Sequence, residues 1–476
     1  MYRFLFLLTA STFAFAGISM EAILDDSSLW DELELKIEDI TLGHGEPNFK
    51  YGVATCTYQD SGMVHCPHSQ WAKWEETYLP QENRSHASAN FYELYKTREG
   101  RNEVISRLKH LGVNSYRFSI EWSQIQPAQG AWDEDAFQVY IDLCKHLRDE
   151  GIAPLITLHH FSEPLWFHEM GSFEDPENLK YFVEFTARVY HELTQDYNGD
   201  LLVDHFCTIN EPGVEAFQRY IRGVYSPGIK VDFERAANFL KNMLTAHCMV
   251  YKRLKAINEG AQIGIVHQYL TLIPSNPLVL PATCYLTRLC NDTPLNFFRS
   301  GGHFELKLPL ACYVKDDLPA DLEAKVDFVG LQYYTRAVIG LSGSTNYGEQ
   351  MTEMDFREDP AGIYEAIIKT HEAYQAPIIV TENGITTHDE TQRARYMLRA
   401  LYAVQCAREK IGSANFKGYH CRSLPHVFEW DYGHRPQAFG LYELGPDGKL
   451  HTEPKVGAMP FINIIRSWRH SISLRH

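Results

Sequence analysis

The chain is predicted to fold as a single (β/α)8 barrel, of the TIM-barrel class, with elaborated loops after its strands. Three observations predict it. Eight short runs rich in apolar, β-branched and aromatic residues recur along 476 residues. Most are separated by segments of helical period, which implies parallel pairing through right-handed crossovers. Polar residues collect at the C-terminal ends of several runs, where barrel enzymes carry their chemistry. An open doubly wound sheet shares the first two features, and the third separates them. No internal repeat, Pro/Ser linker or low-complexity tract interrupts the chain, so 17–476 is read as one domain.

The runs fall at 49–58, 114–120, 153–161, 204–210, 262–269, 327–335, 377–382 and 416–424, with helical period at 102–111, 136–150, 178–195, 233–257 and 391–411. The first leads into Gln59 and the second carries Arg117. The third closes on His159-His160-Phe161. The fourth passes from Phe206-Cys207-Thr208-Ile209 into Asn210-Glu211-Pro212, setting a carboxylate at a strand tip before a helix-breaking residue. The sixth contains Gln332-Tyr333-Tyr334. The seventh runs through Pro377-Ile378-Ile379-Val380 into Thr381-Glu382-Asn383-Gly384, and the eighth leads through Arg422 to Phe428-Glu429-Trp430. Between the fifth and sixth, residues 270–327 are rich in Pro, Cys and turn formers and read as an elaborated loop beside the barrel mouth.

Composition bounds the partners. A net charge of −17 without any Lys/Arg-rich block argues against nucleic acid and anionic membranes, which carry the same sign. Met1-Tyr2-Arg3, the apolar run 4–13 and Ala14-Phe15-Ala16 form a signal-peptide pattern over 1–16, so a secreted or extracytoplasmic protein is expected. That run is too short to span a bilayer, and no other stretch approaches the length a membrane anchor needs. Of ten cysteines, Cys56, Cys207 and Cys421 fall in expected strands and read as core thiols. Cys66, Cys284 and Cys290 fall in loop-like sequence, with Cys284–Cys290 the first disulfide to expect. No zinc-spaced Cys/His set occurs, and neither metal nor cofactor is expected. Asn83-Arg84-Ser85 and Asn291-Asp292-Thr293 match the glycosylation sequon.

Glu211 and Glu382 lie on different strands, far apart in sequence. Two such carboxylates are what glycoside hydrolysis requires, one protonating the departing oxygen and the other, ionised, facing the anomeric carbon. The two therefore need different surroundings. Arg117 is the cation expected to support Glu382. Glu211 has only the neutral Asn210 and Pro212 beside it, which suits a carboxyl that keeps its proton.

From about residue 49 onward the chain resembles the family 1 glycoside hydrolases, the β-glucosidase, β-galactosidase and myrosinase group. Thr208–Pro212 is similar to that family's acid/base motif, which implies Glu211 in that role and Asn210 on the sugar 2-hydroxyl. Thr381-Glu382-Asn383-Gly384 is similar to its nucleophile motif, which implies Glu382. By the same resemblance Gln59, His160, Glu429 and Trp430 bind the glycone, Arg117 lies beside the nucleophile and Tyr334 hydrogen-bonds it. The implied activity is a retaining β-glycosidase acting on small-molecule β-O-glycosides through a covalent glycosyl-enzyme. The alternatives are a weak or inactive carbohydrate-binding pseudoenzyme and a transglycosidase. Departures are specific. Where the family carries a tryptophan wall in Trp-Ser-Leu-x-Asp-Asn-Phe-Glu-Trp, this chain has Arg422, and His426-Val427 replaces Asp-Asn. Arg422 either recognises an anionic glycone bearing a carboxylate or sulfate, or turns aside to pair with Glu429 or Asp431. The family's 6-phospho members replace the glutamate found here as Glu429, so a phosphosugar is not expected.

Overall fold

The computed structural model of the protein describes residues 18–341, 343–344, 351–354, 356–433, 438–445 and 448–475; the signal-peptide pattern at 1–16 lies outside them. Eight strands form a closed barrel: β1 (Lys50–Ala54), β2 (Ser115–Ser119), β3 (Ala153–His159), β4 (His205–Asn210), β5 (Gln262–Gln268), β6 (Phe328–Gln332), β7 (Ile378–Asn383) and β8 (Phe416–Arg422). Each pairs in parallel with its sequence neighbours, and β8 closes on β1 through Lys50↔Gly418 to Ala54↔Arg422. All are buried along nearly their whole length, as a sheet covered on both faces must be.

Helices follow each strand: α1 (Arg98–Leu111), α2 (Glu134–Asp149), α3 (Leu179–Leu193), α4 (Phe233–Ile257), α5 (Thr293–Arg299), α6 (Gly362–Tyr374), α7 (Glu390–Ile411) and α8 (Met459–Ser473). Their ends follow sequence chemistry. Thr97, Asp133, Asp232 and Asp389 cap α1, α2, α4 and α7 by accepting backbone N–H bonds, and α1 stops at Gly112 with φ +79°. Inside the barrel, Leu155, Cys207, Val266, Phe328 and Ile379 form an apolar cluster of their own. Alternation along a strand then fixes which residues above them also face inward. On β8 these are Gly418, His420 and Arg422; the His420 imidazole meets Ser115 Oγ of β2 at 2.9 Å. That contact requires Gly52 on β1, where a Cβ would approach His420 Cδ2 to 2.2 Å.

The expected strands are all present, with shifted ends. The first stops at Ala54, and Thr57–His65 is helical, so Gln59 sits in a first helical turn. The sixth stops at Gln332, leaving Tyr333 and Tyr334 in the following loop. The expected loop 270–327 holds a strand (Thr271–Pro274), a helix (Leu280–Thr287), α5 and an antiparallel hairpin of His303–Leu308 with Cys312–Asp317. The Cys284–Cys290 disulfide is corrected: both thiols are free, Cys284 exposed and Cys290 buried. They lie on successive helical segments six positions apart, a spacing that turns the two side chains to different faces. Cys66 is also free and buried, its sulfur accepting from Gln124 Nε2 at 3.5 Å. Among the described residues no helix is long and apolar enough to cross a membrane.

Candidate active site

The C-terminal ends of the strands converge on a buried polar hollow. Arg117, wholly buried on β2, organises its floor. Thr157 Oγ1 on β3 accepts from its Nε at 3.0 Å and orients the fork. One prong then donates to Glu382 Oε1 on β7 at 2.5 Å, and the other to Asn210 Oδ1 on β4 at 2.6 Å. A single rigid guanidinium thus fixes Glu382 relative to the residue preceding Glu211. Gln332 Nε2 at the tip of β6 donates a second bond to Asn210 Oδ1 at 2.9 Å, which turns the amide nitrogen away. Asn210 Nδ2 is buried and has no partner among the described residues.

Glu211 adopts a left-handed backbone, φ +46° and ψ +58°, between β4 and the short helix Pro212–Phe217. This conformation is costly for a residue with a side chain. Its N–H bond to Val266 O of β5 at 3.0 Å holds it there. The kinked tip leaves Glu211 buried, the residue 7% exposed, and its carboxyl without a hydrogen bond to any described residue. Burial, and next the charge of Glu382, hold its pKa well above the ordinary carboxyl value; Arg117 and Arg422 oppose the shift without cancelling it. The two glutamates therefore share one electrostatic environment.

Glu382 is 3% exposed. Its Oε2 accepts from the Tyr334 hydroxyl and from Arg422 Nη1 at 3.4 Å. With Arg117, three donors surround it, a setting that complements an anionic carboxylate. His160 lies just beyond β3 with Nε2 4.0 Å from Glu382 Oε1. Burial, then the two arginines, push its pKa well below the ordinary imidazole value, so it is neutral. Its Nδ1 has no partner among the described residues. The neighbouring His159 Nε2 instead donates to Glu215 Oε2, 2.8 Å away. Trp430 lies beside His160, ring centroids 6.3 Å apart at 27°, within an aromatic group that includes Tyr58 and Trp71.

At the other end of the hollow, Gln59 Nε2 donates to Glu429 Oε2 at 3.1 Å and to Phe428 O at 2.8 Å. Arg422, 4% exposed, projects from β8 between these groups and Glu382. Its Nη2 donates to Glu429 Oε1 and to Gln59 Oε1, the latter at 3.1 Å. The expectation that Arg422 turns to an acidic neighbour holds for Glu429 and not for Asp431, which pairs with Arg222 at 2.9 Å.

Every expected site residue lies in or beside this hollow. Sequence reading passed over Thr157, Gln332 and Phe439. Thr157 and Gln332 could have been found from strand alternation, because they share faces with inward Leu155 and Phe328. Phe439, whose ring lies 5.2 Å from the Arg422 guanidinium carbon, sits on an irregular segment with no periodic signal.

Residues 46–467 match the family model described as Glycosyl hydrolase family 1. Among curated relatives, the 6-phospho-beta-galactosidase of Clostridium acetobutylicum is 28% identical over 454 residues, covering 83% of this chain and 91% of the relative. That of Staphylococcus epidermidis is 28% identical over 458 residues, covering 83% and 93%. Among solved structures, the beta-glycosidase from Pyrococcus horikoshii superposes with a TM-score of 0.76 at 28% identity, covering 90% of this chain and 96% of that one. The family 1 b-glucosidase from Thermotoga maritima in complex with isofagomine lactam gives 0.77 at 24% identity, covering 90% and 99%, a likeness of fold.

Proposed function

The chain belongs to glycosyl hydrolase family 1 and is a retaining β-glycosidase; from that premise we propose that it cleaves neutral β-O-glycosides with Glu382 as nucleophile and Glu211 as acid/base. The observation that carries the assignment is the Arg117 fork, which binds Glu382 and the residue before Glu211 at once. Glu382 Oε attacks the anomeric carbon as Glu211 passes its proton to the leaving oxygen, giving a glycosyl ester and a free alcohol. Once esterified, Glu382 carries no charge, so one of the influences raising the Glu211 pKa disappears. Glu211 then accepts a proton from water as the oxygen attacks, and the ester is released with net retention. Asn210 Nδ2, an unpaired buried donor, is suited to the 2-hydroxyl.

The relatives' names specify 6-phosphogalactosides, and we assign this chain a neutral glycone because Glu429 stands at the far end of the hollow. A phosphate there would meet a buried carboxylate of the same sign, whose neighbouring cation, Arg422, is already bonded to that carboxylate. An aryl β-glucoside should be hydrolysed at least about ten-fold more efficiently than its 6-phosphate, a difference of about 1.4 kcal/mol. Proton NMR of the first-formed sugar should show the β anomer. Preference for the phosphate would reject the neutral glycone, and an α product would reject double displacement.

We also propose export, supported by the basic start, apolar run and Ala-Phe-Ala pattern of residues 1–16. N-terminal sequencing of chain recovered from outside the producing cell should begin at Gly17. Recovery solely inside the cell with Met1 retained would contradict it.

A further inference from the structure

Polar groups in the hollow divide into two sets. On the nucleophile side, Asn210 Nδ2 and His160 Nδ1 are buried and lack partners among the described residues. On the far side the polar groups are bonded to one another. Glu429 uses one oxygen for Gln59 and the other for Arg422, while Gln59 Oε1 also accepts from Arg422. The guanidinium that closes this far side also reaches Glu382 Oε2 through Nη1. It therefore lies between the nucleophile and the far-end carboxylate. A pyranose whose C1 meets Glu382 and whose far hydroxyls meet Glu429 and Gln59 needs that same space.

We propose that Arg422 is a resident occupant of the glycone position, an intramolecular competitor that a neutral sugar must displace. Its seat is built to hold it: Glu429, Gln59 and Glu382 accept its N–H groups, and the Phe439 ring lies 5.2 Å beneath the guanidinium. Two carboxylates and an amide are satisfied when the arginine is in, so the closed arrangement leaves no buried charge unpaired. Sugar entry swings the side chain out and transfers Glu429 and Gln59 to the glycone hydroxyls. Apparent affinity is lowered by the fraction of molecules with the arginine displaced. Arg422 is thus the specificity-determining residue of the site, selecting against neutral glycones that bind too weakly to evict it. The inference rests on the proposed assignment of Glu382 and Glu429 to the two ends of one sugar.

The test measures calorimetric binding of neutral D-gluconolactam to the full chain, alongside Arg422→Ala and Arg422→Trp. The tryptophan variant refills the volume with the family's residue should the alanine variant fail to fold. Lactam affinity should rise by about ten-fold or more in the variants. Guanidinium ion at about 10 mM, far below denaturing concentrations, should compete with lactam in Arg422→Ala and not in the unaltered chain. A purely structural arginine would produce neither effect. Unchanged or weaker lactam binding in the folded variants overturns the proposal, as does absence of competition by guanidinium. Loss of folding in both variants would assign Arg422 to the fold and overturn it equally. The underlying assignment fails separately: tighter lactam binding without labelling of Glu382 by a fluoroglycoside would leave the occupant in place and remove the nucleophile.

Discussion

Glu382→Gly should lower kcat on aryl β-glucosides on the order of 10^4-fold or more, the scale set by removal of other covalent nucleophiles. The proposed mechanism leaves no substitute: Tyr334 and the two arginines only donate to Glu382, and Glu211 is assigned the acid/base role. The variant also strands Arg117 without its carboxylate, and breaking a buried ion pair costs about 3–5 kcal/mol, so its melting temperature should fall. Azide separates chemistry from folding. As a small anion it can enter between the guanidiniums and attack the anomeric carbon from the side Glu382 occupied. One displacement then gives the α-glycosyl azide, with the aryl alcohol leaving on the Glu211 proton. A β-glycosyl azide from this variant would mean that Glu382 does not face the anomeric carbon.

Glu211→Ala should behave differently with each leaving group. Loss of general acid catalysis costs about 10^2–10^4-fold where the departing alcohol is a poor leaving group, and little for a dinitrophenolate that needs no proton. Azide added to this variant should trap the glycosyl-enzyme from the water side and yield the β-glycosyl azide, the opposite anomer. The pH dependence has a definite sign. Glu211 acts when protonated, and burial followed by the Glu382 charge raises its pKa well above the ordinary value. Activity should therefore persist through the range where a free carboxyl ionises and fall as pH rises through the raised pKa. That alkaline limb should vanish in Glu211→Ala. In Glu382→Gln, direct titration of Glu211 should move downward, because the charge that helps hold its proton is gone. An unmoved titration would show that the two carboxyl groups do not sense each other.

Most of the barrel was legible because apolar runs alternating with helical periods admit few topologies: seven of the eight strands fall within the expected segments, and the seventh overruns its segment by one residue, Asn383. Their ends were less legible where a polar residue finishes the strand. Gln59 lies in a helical turn because the chain bends after Ala54, and nothing in Thr57-Tyr58-Gln59 distinguishes that turn from a longer strand. That Glu211 and Glu382 meet in one hollow was legible from their positions at strand tips. Glu211 sits at a tip whose left-handed backbone has no sequence signal, because a following proline favours an extended conformation in the residue before it. Arg422 marks the limit. Sequence identified it as the departure to explain, and left open whether it met a ligand or an acidic neighbour. Choosing Glu429 over Asp431 depends on the inward parity of β8 and on Arg222, distant in sequence, taking Asp431. Neither condition is local. The occupied far half of the hollow follows from that choice, and no single motif contains it.

The placement of Glu382 and Glu211 about one sugar is tested most directly by incubating the enzyme with a 2-deoxy-2-fluoro-β-glucoside bearing a good leaving group and mapping the adduct by mass spectrometry. The fluorine slows both displacements and the activated leaving group spares the first, so the ester accumulates. One fluoroglycosyl group should be found per chain, on the peptide containing Glu382. An adduct on any other residue, or none at concentrations where the parent glucoside is hydrolysed, would contradict it.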